Sequence, residues 1–391
     1  MFKHELSQLD EQHLLRRLRT INSYSGSRIM MNNRDMLLLC SNDYLGLANH
    51  PALRQAALLA MERYGFGSGA SRLVSGTSEL HTVLENRLAQ FKGTEAALVF
   101  NTGYAANTGI IPAVAGRGDL ILSDSLNHAS IIDGCRLSRA EVMVYRHRDA
   151  GHLEVLLKKS LNARRKLIVT DGVFSMDGDI APLPDLVYLS EKYGAILMVD
   201  DAHGTGVLGR TGRGTVEHFG LSGRVHIQMG TLGKAFGSFG AYAAGSRDLI
   251  HYLINQARSF IYSTALPSSV CAASCAAIDV LDREPERRER LWNNRKRFAQ
   301  GLNSLGISTG DSETPILPVM IGDSERALKA SERLFEFGVY ATAIRPPTVP
   351  ADAARIRTTV TAAHTEVDID SALDIFSRLK NEGYISDDFL G

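Results

Sequence analysis

The chain has 391 residues, of which 44% are hydrophobic and 22% are charged, and 43 basic side chains balance 43 acidic ones. This length exceeds a single compact core, so we expect two packed units or one large domain with a smaller appendage. The ordinary composition excludes a disordered or fibrous protein, and the zero net charge excludes a global field that attracts nucleic acid or an anionic membrane.

The first segment, MFKHELSQLDEQHLLRRLR, predicts a charged amphipathic helix. It lacks the apolar stretch of a signal peptide, and no later run reaches the length of a membrane span. Cys40, Cys135, Cys271 and Cys275 form no CxxC pair and have no metal-ligand spacing, so we interpret all four as packing residues. A cytoplasmic protein without a metal site or membrane contact is therefore expected.

The next predicted element is a short apolar strand at DMLLLC, followed by a turn rich in Asn, Asp and Gly. Apolar runs then alternate with helical or loop segments. This alternation is typical of crossover units that build a mostly parallel, buried sheet, and it predicts an α/β fold. The six runs are AALVF, DLILSD, EVMVYRH, KLIVTDGVF, AILMVDDA and HIQMGT.

The stretch 266–305 predicts two helices, one rich in alanine and one heavily charged, and we place a domain change there. Beyond it follow the apolar run PILPVMIG, a helix over 324–337, the strand RIRTTVTA and a final amphipathic helix, which together suggest a small α+β domain. We therefore divide the chain into an N-terminal helix and strand segment (1–45), a large α/β domain (46–280) and a small α+β domain (281–391).

Lys234 is the first candidate for chemistry, because it lies in the small-residue segment TLGKAFG directly after an apolar strand. A lysine among apolar neighbours can have a lowered amine pKa, which favours Schiff-base chemistry. The segment is not a phosphate-binding P-loop, because Gln228 stands at the first glycine position and Ala235 follows the lysine. Alone, a lysine in a glycine-rich loop is more often a solvated surface residue.

Asp200, Asp201 and His203 follow a wholly apolar strand in VDDAHGTG. Strand ends of this kind face ligands in open α/β sheets, so one acid here could pair with a protonated pyridine nitrogen. The other acid is expected only to cap a turn. The same segment spells GxGxxG. We reject a dinucleotide site, because glycines continue where a helix should run and no acid lies about twenty residues further on.

Gly103 follows the strand AALVF and should open a helix whose free N–H groups suit a phosphate. Hydroxyl groups that could contribute to the same phosphate are those of Thr231, Ser263 and Thr264, although each alone is more often a helix cap. His128 could stack on a flat cofactor, and Arg357 could clamp a carboxylate through two N–H groups. A structural histidine and a surface ion pair are the alternatives.

Taken together, the motifs resemble the α-oxoamine synthase family of fold-type I pyridoxal-phosphate enzymes. The resemblance runs nearly end to end and implies a large domain with a seven-stranded, mostly parallel sheet, a small C-terminal domain and a homodimer. The motifs that carry it, in family order, are SNDYLGL, GSGASRLVSGTSELH, NTGYAAN, NHASIIDG, DGVFSMDGD, VDDAHGTGVLG, TLGKAFG, YSTALP and IRPPTVP.

The resemblance implies roles for individual residues. Lys234 would hold pyridoxal 5′-phosphate as a Schiff base, Asp200 would bind its pyridine nitrogen, and His203 would hydrogen-bond its phenolic oxygen. His128 would stack on the ring, and these four residues would form the catalytic set. Further cofactor-binding residues would be Gly103, Tyr104, Ser175, Thr231, Ser263 and Thr264, the last two reaching the phosphate in the partner subunit. Substrate-binding residues would be Arg16, Asn42, Ser71, Arg345, Thr348 and Arg357.

The segments SRLVSGTSELH and DDAHGTG resemble the branch of the family that condenses L-alanine with a pimeloyl thioester in biotin synthesis. Lys234 would remove the α-proton, and His128 would donate a hydrogen bond to the developing oxyanion. The carrier, pimeloyl-CoA or pimeloyl-ACP, stays open. Two alternatives are a sister acyltransferase that uses glycine or serine and a non-catalytic homologous subunit.

Overall fold

A computed structural model describes residues 1–24, 26–160 and 163–385. It divides into two compact units. The large unit comprises residues 47–174 and 180–285, and the small unit comprises residues 1–46, 175–179 and those from 286 onward. Within the described residues, no helix is long and apolar enough to cross a membrane.

The large unit is built on a seven-stranded sheet. Its strands are β3 (Ala96–Phe100), β4 (Leu120–Asp124), β5 (Glu141–Tyr145), β6 (Lys166–Asp171), β7 (Ile196–Asp200), β8 (Ile227–Thr231) and β9 (Ala241–Gly245). They lie in the order β3-β9-β8-β7-β6-β4-β5, and only β9 runs antiparallel to its neighbours. The predicted α/β class with a mostly parallel sheet is confirmed, and each of the six apolar runs supplies one strand.

The central strands are apolar on both faces, because each face packs on its own hydrophobic cluster. Leu167, Val169 and Met198 belong to one cluster, whereas the alternating residues Ile168 and Leu197 belong to the other. This split follows from the two-residue period of a strand. It explains why these segments read as continuous apolar runs in the sequence.

Helices of the large unit are α2 (Pro51–Tyr64), α3 (Glu79–Lys92), α4 (Gly103–Val114), α5 (Ala129–Ser138), α6 (Ala150–Lys159), α7 (Leu183–Tyr193), α8 (Thr215–His218), α9 (Arg247–Gln256), α10 (Arg258–Ile261) and α11 (Ser268–Arg283). A π-helical turn spans Arg72–Gly76. Helices α4 and α5 begin shortly after the carboxyl ends of β3 and β4, so their amino termini lie at the strand ends where the candidate residues were predicted.

The small unit contains two three-stranded sheets with the orders β1-β2-β11 and β10-β13-β12. Its strands are β1 (Arg28–Met31), β2 (Arg34–Leu38), β10 (Ile316–Gly322), β11 (Val339–Tyr340), β12 (Thr342–Ile344) and β13 (Ala354–Thr359). Its helices are α1 (Lys3–Glu11), α12 (Glu286–Ser304), α13 (Ser324–Glu336) and α14 (Glu366–Asn381). The predicted charged helix, the helix near 324–337 and the final amphipathic helix are confirmed at α12, α13 and α14.

Candidate active site

Two buried acids lie side by side where neighbouring parallel strands end. Asp171 closes β6 and Asp200 closes β7, and the two residues are partners in the strand register. Burial, and then the charge of Asp200, raise the pKa of Asp171 well above its usual value. Burial next to a second acid therefore disfavours a charge on Asp171.

Hydrogen bonds from N–H donors hold the carboxylate of Asp200. The backbone N–H of Ala202 donates to its Oδ1 over 3.0 Å, and Asn107 on helix α4 donates from Nδ2 to its Oδ2 over 2.7 Å. Asp200 and Asn107 are 3% and 0% exposed, so this contact is shielded from water. An ordered carboxylate of this kind suits a cationic ring nitrogen.

The amine of Lys234 and the imidazole of His203 are in contact, with 2.9 Å between Nζ and Nε2. His203 follows β7 and Lys234 follows β8, and these two strands are neighbours in the sheet. Thr231, at the end of β8, uses its hydroxyl within the same turn, donating to the carbonyl of Gly240 over 3.0 Å and accepting from the N–H of Gly233 over 3.2 Å. Parallel strands thus bring together the lysine and histidine that the sequence predicted separately.

His128 is the amino-terminal cap of helix α5, and its Nδ1 accepts the backbone N–H of Ser130 over 3.2 Å. Its own backbone N–H donates to Asp171 over 2.7 Å. Although His128 is exposed, partial desolvation lowers its pKa; the charge of Asp200 raises it, and that of Lys234 lowers it further. The ring therefore lies within the electrostatic reach of Asp200 and Lys234.

Gly103 begins helix α4, and Thr102 caps it by accepting the N–H of Ala105 over 3.0 Å. Tyr104 is half exposed, and the hydrogen bond of its hydroxyl to Asp133 raises its pKa. Free N–H groups at this end suit an anion, as the sequence predicted.

Ser71 and Thr264 are brought together by an isolated β-bridge in the large unit. The carbonyl of Thr264 accepts a hydrogen bond from Asn101 over 2.8 Å, and the neighbouring Ser263 lines a small cavity with Arg72. The segment that carries these hydroxyls is therefore held against the residues that follow β3.

Asp201 has a different role from its neighbour Asp200. Its carboxylate, 0% exposed, lies 2.9 Å from the buried amine of Lys92 and accepts hydrogen bonds from Thr215. A Cβ atom on Gly204 would lie 2.1 Å from this carboxylate, and one on Gly214 would lie 1.7 Å from it. Gly204, the first glycine of the GxGxxG pattern, and Gly214 outside it therefore leave room for the buried carboxylate of Asp201.

Arg357 lies on β13 of the small unit and is 6% exposed. Its guanidinium donates to the carbonyl of Ser175 and, over 3.1 Å, to the side-chain oxygen of Asn42. Three predicted residues from distant parts of the sequence therefore meet within this unit. The arrangement presents an oriented guanidinium, which suits a carboxylate.

Arg345 donates to the backbone carbonyl of His13, and Thr348 follows in a turn in which its N–H donates to the carbonyl of Arg345 over 3.1 Å. Burial lowers the pKa of Arg345, and the positive charge of Arg16 lowers it further. Two guanidinium groups are thus close enough to repel each other, an arrangement that an anion would stabilise.

Residues that the sequence analysis missed are Asn107, Ser130, Asp171 and Lys92. Asp171 carried a usable signal, since it ends an apolar strand just as Asp200 does. Asn107 and Lys92 carried none, because their acidic partners lie 93 and 109 residues further along the chain. Their roles depend on contacts that only the fold creates.

The family model described as aminotransferase class I and II matches residues 34–376. A relative from Geobacter sulfurreducens, named 8-amino-7-oxononanoate synthase, is 57% identical over 97% of this chain and 97% of its own length. A relative from Bacillus subtilis, named 8-amino-7-oxononanoate synthase 1, is 50% identical over 97% of each chain.

Among solved structures, a serine palmitoyltransferase from S. paucimobilis with bound PLP and myriocin superimposes with a TM-score of 0.93. It is 33% identical and covers 97% of this chain and 98% of its own. The similarity therefore extends over both units.

Proposed function

The chain belongs to the aminotransferase class I and II family, and we propose that it catalyses the 8-amino-7-oxononanoate synthase reaction of biotin synthesis. L-Alanine and a pimeloyl thioester would give 8-amino-7-oxononanoate, carbon dioxide and the free thiol. The observation that carries the proposal is the contact of Lys234 with His203 beside the buried Asp200, in a chain 57% identical to a relative of that name.

The chemistry of the large unit's donor set fits pyridoxal 5′-phosphate. Asp200 is a carboxylate already oriented by two N–H donors, which suits a protonated pyridine nitrogen, and His203 suits the phenolic oxygen. His128 is exposed, so a ligand that stacks on its ring can reach it. When bound, this cofactor supplies an electron sink for the electron pair left at the substrate carbon. Gly103, Tyr104, Ser175 and Thr231 would line the cofactor and its phosphate, and Ser263 and Thr264 would reach the phosphate bound in the partner subunit.

Lys234 is the base in this proposal. Its amine would accept the α-proton of alanine and hold it at Nζ, while the imidazole of His203, 2.9 Å away, orients the amine. His128 would donate a hydrogen bond to the oxyanion that develops on the thioester carbonyl. Proton transfer and oxyanion stabilisation are thus assigned to different side chains.

Arg357 would bind the carboxylate of alanine, because its guanidinium is held in a fixed orientation by Ser175 and Asn42. Arg16 and Arg345 would bind the terminal carboxylate of the pimeloyl chain, whose charge would relieve their mutual repulsion. The remaining residues proposed to contact substrate are Ser71 and Thr348.

We also propose a cytoplasmic homodimer in which Ser263 and Thr264 reach the partner's phosphate site. The cytoplasmic location is supported by four cysteines that form no disulfide among the described residues. The dimer is supported by large apolar side chains that a single chain leaves exposed, such as Phe66 at 78% and Tyr262 at 70%.

One experiment tests the reaction. The purified protein is reconstituted with pyridoxal 5′-phosphate and incubated with L-alanine, glycine or L-serine and with pimeloyl-CoA or pimeloyl-ACP, and products are identified by mass spectrometry. We expect 8-amino-7-oxononanoate from alanine, and none from a Lys234→Ala variant. A preference for serine with a long acyl chain would instead support the activity named for the structural neighbour from S. paucimobilis.

A further inference from the structure

A chain of hydrogen bonds connects Asp200 to His128 through two buried side chains. Asn107 donates from Nδ2 to Asp200 over 2.7 Å and to the hydroxyl of Ser130 over 2.8 Å. The hydroxyl of Ser130 lies 2.8 Å from Nδ1 of His128. Asn107 is 0% and Ser130 is 1% exposed, so water does not compete for the contacts among Asp200, Asn107 and Ser130, whereas the contact of Ser130 with His128 is partly buried.

The orientation of the Asn107 amide is fixed by its neighbours. A flipped amide would place its oxygen against the carboxylate of Asp200, which cannot donate. In the observed orientation both N–H groups are used, while Oδ1 is buried without a hydrogen-bond partner among the described residues. The fold tolerates this unsatisfied oxygen atom, and the amide therefore acts as a donor toward Ser130.

The direction of the remaining hydrogen bonds follows from this one. Because the hydroxyl oxygen of Ser130 accepts from Asn107, its hydrogen is available for Nδ1 of His128. The backbone N–H of Ser130 points to the same Nδ1 over 3.2 Å and can only donate. Nδ1 is thus surrounded by two donors and must carry a lone pair.

We propose that Asn107 and Ser130 are positioning residues that hold His128 as the neutral tautomer with its proton on Nε2. His128 then offers an N–H donor to the bound reactants and does not take up a proton at Nδ1. This inference rests on the proposed function only for what Nε2 donates to, because the tautomer itself is a property of the protein alone.

Titratable groups on three other elements lie near His128, and two of them act on its ring. Asp200 at the end of β7 raises the pKa of His128, whereas Lys234 after β8 and desolvation lower it. Asp171 at the end of β6 accepts the backbone N–H of His128. The lowered pKa agrees with a ring that is neutral at pH 7, and the two donors at Nδ1 favour the same state.

The test is histidine-selective ¹⁵N labelling of the full-length protein, followed by NMR at several pH values, with pyridoxal 5′-phosphate bound and again after its removal. The chain has 12 histidines, and a His128→Asn variant assigns the signals of His128. At pH 7 we expect an unprotonated Nδ1 and a protonated Nε2 in both forms. If the proposed function is wrong and the cofactor does not bind, the cofactor-free spectrum still decides the tautomer.

Ser130→Ala removes the hydroxyl donor and leaves the contact of Asn107 with Asp200 unchanged. The pKa of His128 should then rise by roughly half to one unit, because the lost hydrogen bond stabilises only the neutral ring. Ser130→Thr, which keeps the hydroxyl, should restore the wild-type value. Asn294→Leu is a matched control, since it removes a buried asparagine of the small unit that makes two hydrogen bonds, and it should leave His128 unchanged.

The proposal is overturned if wild-type His128 carries its proton on Nδ1 or is doubly protonated at pH 7. It is also overturned if Ser130→Ala gives the same pKa and tautomer as the wild type. The first criterion needs no variant and therefore holds even if Ser130→Ala does not fold.

Discussion

The ion pair between Lys92 and Asp201 predicts a large and specific loss of stability. The two side chains are each 0% exposed and 2.9 Å apart, and Asp201 also accepts hydrogen bonds from Thr215. Burial alone would lower the pKa of Lys92, but the charge of Asp201 raises it above its usual value, so the amine is charged. Lys92→Met would leave a buried carboxylate without its cation.

Breaking a buried pair from one side costs about 3–5 kcal/mol. With a urea m-value of about 3 kcal/mol/M, this cost lowers the unfolding midpoint by roughly 1 to 2 M. Urea unfolding followed by far-UV circular dichroism measures the shift. Lys92→Met combined with Asp201→Asn should be less destabilised than Lys92→Met alone, because the double variant leaves no uncompensated charge.

Lys192→Met is the control, because it removes an ion pair to Glu154 that is exposed to solvent. Its midpoint should stay close to that of the wild type. If Lys92→Met shifted the midpoint no more than Lys192→Met does, the buried pair would not hold the segment after β7, and the reasoning would be refuted.

Three further predictions concern single residues. Gly214→Ala should prevent soluble expression, because the new Cβ atom would lie 1.7 Å from the carboxylate of Asp201. Gly194→Ala is the control: the residue has φ +59° and no atom within 4 Å of the new Cβ, so the variant should lose only about 1–2 kcal/mol of stability in urea unfolding. Burial lowers the pKa of His81 to about 4 from 6.5, so the free energy of unfolding should fall by roughly 3 kcal/mol as the pH drops from 6.5 to 4. A His81→Gln variant that kept this pH dependence would show that His81 is not its source. Asp171→Asn should bind pyridoxal 5′-phosphate nearly as well as the wild type in an absorbance titration, because burial already disfavours a charge on the acid it replaces. Asp200→Asn should weaken binding about tenfold or more, and equal losses in the two variants would show that both acids carry charge.

The sequence predicted the parallel strands because their burial on both faces leaves a visible apolar run. It missed β9, Ala241–Gly245, which lies between β3 and β8. That segment is made of small residues around Tyr242, whose hydroxyl would lie 2.4 Å from a Cβ on Gly230 of the neighbouring strand. A strand that is specified by packing against its neighbouring strand shows no apolar periodicity in its own sequence.

The same distinction applies to the site. Asp200, His203 and Lys234 were predictable because each follows an apolar strand, and parallel strands end at the same edge of a sheet. Asn107 was not, because nothing on helix α4 indicates that its amide will meet an acid 93 residues away. Sequence reasoning therefore found the groups proposed for the chemistry and missed the groups that orient them.

Asp200 and Asp201 show why the surroundings of a side chain could not be inferred from the amino-acid sequence alone. Consecutive residues at the end of a strand direct their side chains to opposite sides, so two identical acids enter different surroundings. Asp201 meets the buried amine of Lys92, which compensates its charge within the fold. Asp200 meets the amide of Asn107 and the backbone N–H of Ala202, which are neutral donors that orient a carboxylate without neutralising it. The charge of Asp201 is therefore used for stability, whereas the charge of Asp200 remains able to bind a cationic ligand. This difference is the physical basis for proposing the cofactor role for Asp200.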